Sequence, residues 1–275
     1  MVNGARLLGP SIAGVLITFT GEGICFLING ISYLFVIGSL LLMKVAPRII
    51  NGKDTRVLTE LKEGFSYAFG FVPIRYIILL LAVVSLMGMP YTVLTPVIAK
   101  EILHGGSHTF GFLMGASGLG ALTGALYLAS RKNISGLIKI IPLSAGIFGL
   151  GLIAFSLSRY LSLSLVVMVI TGLGMMLQMA SSNTILQTII DDDKRGRVMS
   201  FYTMAFMGTA PFGSFIAGSL AKIIGAPNTI LIGGIVCISG ALIFARKLPK
   251  LKSMVRSAVI SGIQTPTKIN ISPEE

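Results

Sequence analysis

The sequence predicts an all-α protein, a polytopic membrane bundle of eight transmembrane helices. Three observations predict it. Of 275 residues, 53% are hydrophobic and only 12% are charged, against about 25% charged in a soluble domain. Apolar runs approaching the ~20 residues needed to cross a bilayer recur eight times along the chain. The basic residues fall between those runs on alternate sides, as they do in multi-pass membrane proteins. With a mean hydropathy of +0.87, an ordinary water-soluble globule is excluded.

The runs lie at 6–20, 24–43, 75–99, 109–129, 137–157, 161–187, 200–222 and 228–246. The first is short and opens on Arg6. No A-x-A-like cleavage site follows it, so it reads as a helix and not as a secretory signal. Between the second and third runs lies a stretch of mixed charge. There Leu58, Leu61, Phe65, Ala68 and Phe69 follow helical spacing, with Glu60, Lys62 and Glu63 on the other face. That pattern predicts an amphipathic helix along the membrane surface or against the inner face of the bundle. Four segments follow: two helices in 1–44, a linker in 45–74, a six-helix unit in 75–247, and a tail in 248–275. The tail is polar, contains Pro266 and Pro273, and is expected to be disordered.

Charge orients the bundle. Lysines and arginines number 22 against 10 acidic residues, a formal net charge of +12. In a soluble chain this would suggest nucleic acid. Here the positive-inside rule accounts for it, and no nucleic-acid partner is expected. Of the 22, only Lys100, Arg159 and Lys222 fall on one side of the predicted membrane, and the other 19 fall on the opposite side. Cytoplasmic loops carry the Lys/Arg excess, so both termini are expected in the cytoplasm. Cys25 and Cys237 both lie inside apolar runs and read as small buried side chains with no metal-site spacing.

Ile12-Ala13-Gly14-Val15-Leu16 recurs as Ile216-Ala217-Gly218-Ser219-Leu220, an offset of 204 residues. This pairs the first run with the seventh and the second with the eighth, a period of six helices. Parallel six-helix repeats build one large transporter class. The chain resembles that class, the major facilitator superfamily, and within it bacterial twelve-helix exporters of the enterobactin-exporter and macrolide-efflux kind. Three segments carry the resemblance. Residues 3–14, with Gly9, Pro10 and Gly14, resemble the fifth-helix antiporter motif G-P-x-x-G-G, with Ala13 in place of one glycine. Asp191 to Ser200, with Arg195-Gly196-Arg197, resembles the acidic-x-x-R-G-R-V-M-S loop between helices ten and eleven. Gly124 to Arg131 resembles a degenerate G-x-x-x-D-R loop, with Ser130 where that motif has aspartate. The resemblance implies that the eight helices correspond to helices 5–12 of a twelve-helix fold in a bacterial inner membrane. It also implies an N-terminal truncation of four helices.

Several residues are candidates for function. Gly9 and Pro10 kink the first helix; with Gly14 they form, as the resemblance implies, a close contact between halves, or else serve ordinary small-residue packing. Asp191, Arg195, Gly196 and Arg197 are expected in a turn between the sixth and seventh runs. There arginine can pair with carboxylates of adjoining loops as a cytoplasmic gate latch, or the segment serves only as topology signal and helix cap. No acidic or basic residue lies near the centre of any run, so no proton-relay carboxylate is visible. His104 and His108 share an outer loop but lack a third ligand. Candidate cavity-lining residues are neutral: Ser85, Met89, Tyr91 and Thr92 in the third run, which Pro90 and Pro96 bend, and Gln178, Ser181, Ser182 and Asn183 in the sixth. Interhelical hydrogen bonding is the competing role for each.

No intramembrane constellation of catalytic or metal-binding residues is present in the sequence, so an enzyme is not expected, nor is a cofactor. The resemblance implies a secondary active exporter of small amphipathic, drug-like or siderophore-like molecules, with protons as the candidate coupling ion. The alternative is a bundle that does not transport, or a half-transporter that needs a partner for the missing helices.

Cysteine labelling checks the topology. A cysteine at Ser107 should react with an impermeant reagent in intact cells, and one at Ser253 should not; the reverse pattern overturns the assignment.

Overall fold

The computed structural model describes residues 22–43, 65–131, 136–190 and 192–264. Among them every regular element is helical. We label the helices α1 (Glu22–Leu42), α2 (Val72–Ile102), α3 (Ser107–Ser130), α4 (Leu137–Leu157), α5 (Leu161–Ile189), α6 and α7 (Ala226–Gln264). Helix α6 opens at Asp192 and has Lys194–Ile224 as its spanning part.

Six of these, α2 to α7, are long and apolar enough to cross a bilayer. In α1 the stretch that qualifies as apolar, Gly30–Leu42, is shorter. The run at 6–20 lies outside the described residues, so six of the eight expected spans meet both criteria. Their bounds extend the predicted runs at the ends, because a helix continues through the polar residues that flank hydrocarbon. Connections are short where a glycine can reverse the chain. Gly225, at φ 85°, sits alone between α6 and α7, a left-handed conformation that costs glycine nothing.

Two segments depart from expectation. Arg195-Gly196-Arg197 lies not in a turn but in the first turns of α6, within the helix Asp192–Thr203. Acidic residues at a helix N-terminus favour its dipole, which is why 192–193 start the helix and not a loop. Secondly, α7 stays helical to Gln264, past residue 248 where the sequence predicts a disordered tail. Leu251 is fully buried and Val255 nearly so. These two apolar residues, four apart, hold the extra turns on the bundle. Of the predicted surface helix, only 65–70 falls within the described residues, and it is helical. Phe65 stacks on Phe69 at 4.3 Å and meets Phe201 edge-on at 6.0 Å, which fastens this segment to α6.

Packing is closest where glycines remove side chains. Helix α5 lies between α3 and α4, and α4 in turn packs on α7. A Cβ added at Gly120 of α3 would overlap the Val169 carbonyl, and one at Gly172 of α5 would overlap the Ser117 carbonyl. Gly149 of α4 and Gly234 of α7 face each other, each Cβ position 2.7 Å from the other's carbonyl oxygen. Around these contacts Phe148, Phe155, Ile141, Leu152 and Phe244 are almost completely buried. Helices α1 and α6 differ. Leu34, Phe35 and Leu41 of α1 and Met207, Phe212 and Phe215 of α6 are all largely exposed, a surface suited to lipid or another apolar partner.

Gly172→Ala should destabilise the bundle by about 1–3 kcal/mol through overpacking. Gly146→Ala, where nothing lies within 4 Å, should be neutral or stabilising by up to about 1 kcal/mol from helix propensity. Thermal unfolding in detergent compares the two, and equal effects would show that the α3–α5 contact is looser than described.

Candidate functional site

Helices α2 and α6 each contain a π-helical segment near the middle of the membrane. The segments are Val84–Gly88 and Met204–Gly208, two stretches within 31-residue spans. Proline is the local cause. Pro90 and Pro211 have no N–H, so carbonyls four and five residues earlier lose their helical donor. The chain widens to i→i+5 bonding, seen as Met89 N–H donating to the Val84 oxygen at 3.0 Å. Single-turn π segments of this kind concentrate at functional sites.

Inside a membrane each freed carbonyl must be met by something other than water. The Ser85 hydroxyl donates across the helix pair to the Phe206 carbonyl, five residues before Pro211. Thr209 Oγ1 donates to the Ala205 oxygen at 2.8 Å. In α2, Thr95 Oγ1 donates to the Tyr91 oxygen at 2.7 Å, five residues before Pro96. The Leu86 and Met87 carbonyls point at Gly213 of α6 and Gly233 of α7, where any Cβ would collide with them. Backbone Cα–H groups can serve as weak donors at such contacts. Helices α2, α6 and α7 are thus held together at the level of their weakest backbone.

Beside this crossing lies an open recess of about 370 Å³, lined by Ser85, Met89, Phe206, Met207, Ala210, Pro211 and Ser214. A second, shallower groove follows α6 towards the basic end along Gly196, Met199, Ser200, Thr203, Met204, Met207 and Gly208. Met207 belongs to both, so one apolar track with hydroxyls at intervals runs from the membrane centre to the start of α6. No charged residue lines either part.

The predicted site residues separate. Ser85 and Met89 line the recess together. Thr92 is half-buried and donates to the Met89 oxygen at 2.9 Å. Tyr91 is in the core, its oxygen 3.1 Å from Ser117 Oγ and its ring edge-on to Phe148 at 6.0 Å. On α5, Gln178, Ser181 and Ser182 are fully buried, and Gln178 Nε2 and both hydroxyls have no hydrogen-bond partner. Asn183 bonds Gln187 one turn on and the Tyr202 hydroxyl of α6. Tyr202 in turn donates to the Met179 oxygen at 3.1 Å. The α5 residues do not border the recess. Arg195 and Gly196 are exposed and Arg197 half-buried at the basic end, where Lys194 Nζ sits 4.6 Å from the centre of the Tyr67 ring. Gly9, Pro10, Gly14 and Asp191 lie outside the described residues.

The recess residues on α6 escape a reading of single positions, yet a signal exists. The two mid-span π segments end in Met-Gly, Met87-Gly88 and Met207-Gly208, with proline two or three residues on, unlike the third at Ile98–Ile102 near the end of α2. Matching the proline of one helix to that of the other would have brought Phe206, Met207 and Pro211 forward.

A six-helix bundle with proline-opened helices and an uncharged recess at mid-membrane has the features of a transporter half. Residues 1–270 match the transmembrane secretion effector family, and the chain belongs to that family, within the major facilitator superfamily. It is similar to the staphyloferrin A transporter of Staphylococcus aureus (strain NCTC 8325 / PS 47), 26% identical over 92% of this chain and 63% of the relative. It is also similar to an uncharacterized transporter of the same superfamily, YfmI of Bacillus subtilis (strain 168), at 23% identity over 86% of this chain and 60% of the relative. The chain thus spans less than two thirds of the length of these relatives. The family is one of transporters, not enzymes.

A double-mutant cycle tests the crossing. Ser85→Ala leaves the Phe206 carbonyl unmet and should cost about 1–3 kcal/mol. In a Pro211→Ala background the new N–H can restore helical bonding, and Ser85→Ala should then cost less. Additive losses would show that the two residues do not share one defect.

Proposed function

We propose that the described helices form one half of a secondary active exporter that moves small amphipathic, drug-like or siderophore-like molecules by alternating access. The observation that carries this reading is the mid-membrane recess between α2 and α6. Its methionines, proline and aromatic ring offer adaptable apolar contact, and the Ser85 and Ser214 hydroxyls offer sparse polar anchoring. Such a surface fits a large, mostly apolar molecule better than a small ion, whose charge it leaves uncompensated. Membership of a secretion-effector family and similarity to a staphyloferrin A transporter support the same class.

In this proposal substrate sits between two halves of similar construction, as parallel repeats require. Gly9, Pro10 and Gly14 serve the contact between halves. Asp191 with Arg195, Gly196 and Arg197 forms a gate at the cytoplasmic end, where the groove along α6 opens. The buried, unpartnered Gln178, Ser181 and Ser182 support a second state, in which α5 turns these groups towards substrate or water. The 19 basic residues of one side support a cytoplasmic location for both termini, in the inner membrane. Protons are the candidate coupling ion.

The test is efflux of a preloaded dye or siderophore from an efflux-deficient host. It compares residues 1–275 with a form extended by a complete counterpart half, at equal membrane levels. The extended form should export and residues 1–275 should not; equal efflux would overturn the two-half reading. Met207→Trp in the extended form fills the recess and should slow efflux about tenfold, a loss of roughly 1.4 kcal/mol of transition-state stabilisation. Unchanged efflux would remove the recess from the pathway.

A further inference from the structure

Helix α7 is 39 residues long, about 58 Å at 1.5 Å per residue, nearly twice a hydrocarbon layer of about 30 Å. Counting from Ala226, the hydrocarbon ends about twenty residues on, at Arg246. The headgroup layer beyond it is roughly 5–7 Å deep and takes the next four or five residues. At this depth Arg246, Lys247 and Lys250 are exposed, and so is Lys252 just beyond it. Opposite them Phe244, Leu251 and Val255 are buried and Leu248 half-buried, a stripe at helical spacing. Pro249 withholds the backbone donor that would bond Ala245, which lets the helix bend at this level. The end of α7 is therefore no free stalk. Its apolar stripe is fixed to the bundle and its basic face turns outward.

We propose that this basic face of α7 is a binding collar for anionic lipid headgroups. The headgroup it fits carries a phosphate diester and no compensating amine, as in phosphatidylglycerol. Lysine and arginine give such a phosphate charge-assisted hydrogen bonds. A basic side chain near an anionic membrane surface strengthens binding about fivefold. Four on one fixed helix, spread around the side that the buried stripe leaves free, concentrate that effect where a flexible tail would spread it.

The experiment uses the full chain in phosphatidylcholine nanodiscs with and without phosphatidylglycerol. Spin-labelled forms of both lipids report which is held at the protein boundary, with no need for transport. The expected result is a preference for phosphatidylglycerol that raised salt weakens. The variant Arg246→Gln/Lys247→Gln/Lys250→Gln/Lys252→Gln should lose it. The charge-conserving variant Lys247→Arg/Lys250→Arg/Lys252→Arg should keep it. So should Lys100→Gln/Arg159→Gln/Lys222→Gln, at the other end of the bundle. If the fourfold variant elutes aggregated, the pair Lys250→Gln/Lys252→Gln takes its place and should lower the preference several-fold. An unchanged preference in the glutamine variant, or an equal loss from both ends, overturns the collar.

Discussion

Backbone hydrogen bonding without water is the constraint on which this structure depends. In hydrocarbon an unmet carbonyl costs several kcal/mol, so every proline inside a span creates a debt that a neighbour must settle. Near Pro96 the Thr95 hydroxyl turns back onto the Tyr91 carbonyl of its own helix. Pro90 and Pro211 are answered between helices, through Ser85, Gly213 and Gly233. The second arrangement ties the weakest points of α2 and α6 to each other. Bending either helix changes the bonding of both. The recess opens beside this crossing because widened, proline-bounded turns do not fill space as an α-helix does.

Glycine does the complementary work. At Gly120, Gly172, Gly149 and Gly234 the backbones of α3, α5, α4 and α7 come into contact, where dispersion and weak Cα–H bonding replace the missing hydrophobic drive. The molecule therefore has a tightly locked part, α3, α4, α5 and most of α7. It also has a more exposed part, α6, which shares its proline-strained level with α2. Locked and strained parts are what a rocking transporter half needs.

Spans were legible because each rests on the average character of about twenty residues, and averages survive single exceptions. The expected orientation rests likewise on sums, those of the basic residues in loops. What escaped depends on single atoms. The π segments follow from which carbonyl a proline strips, and the recess from which helix lies beside that carbonyl; neither is a property of a window. Tyr91 looked like a cavity residue because it follows Pro90, yet its ring is turned to Phe148 and its hydroxyl to Ser117. The end of α7 was hidden by its own charge. The four basic residues in 246–252 outweigh Leu248, Leu251 and Val255, which matter only once the bundle supplies something for them to cover.

The distribution of charge and polarity in this chain follows one energetic rule. A charged side chain at mid-bilayer costs at least about 2.5–3.5 kcal/mol even in favourable settings, while a hydroxyl or amide costs far less and can be turned back onto its own helix. Hydroxyls throughout the bundle do turn back, as Thr123, Thr171, Thr184 and Ser239 each donate to the carbonyl four residues earlier. Ser181 and Ser182 do not, and Gln178 Nε2 beside them is also unpartnered. Three neighbouring exceptions on one face of α5 leave donors available without a fixed charge. Neutral donors of this kind need no counter-charge inside the membrane. Charge is then free to do its work at the two membrane surfaces, where it orients the bundle.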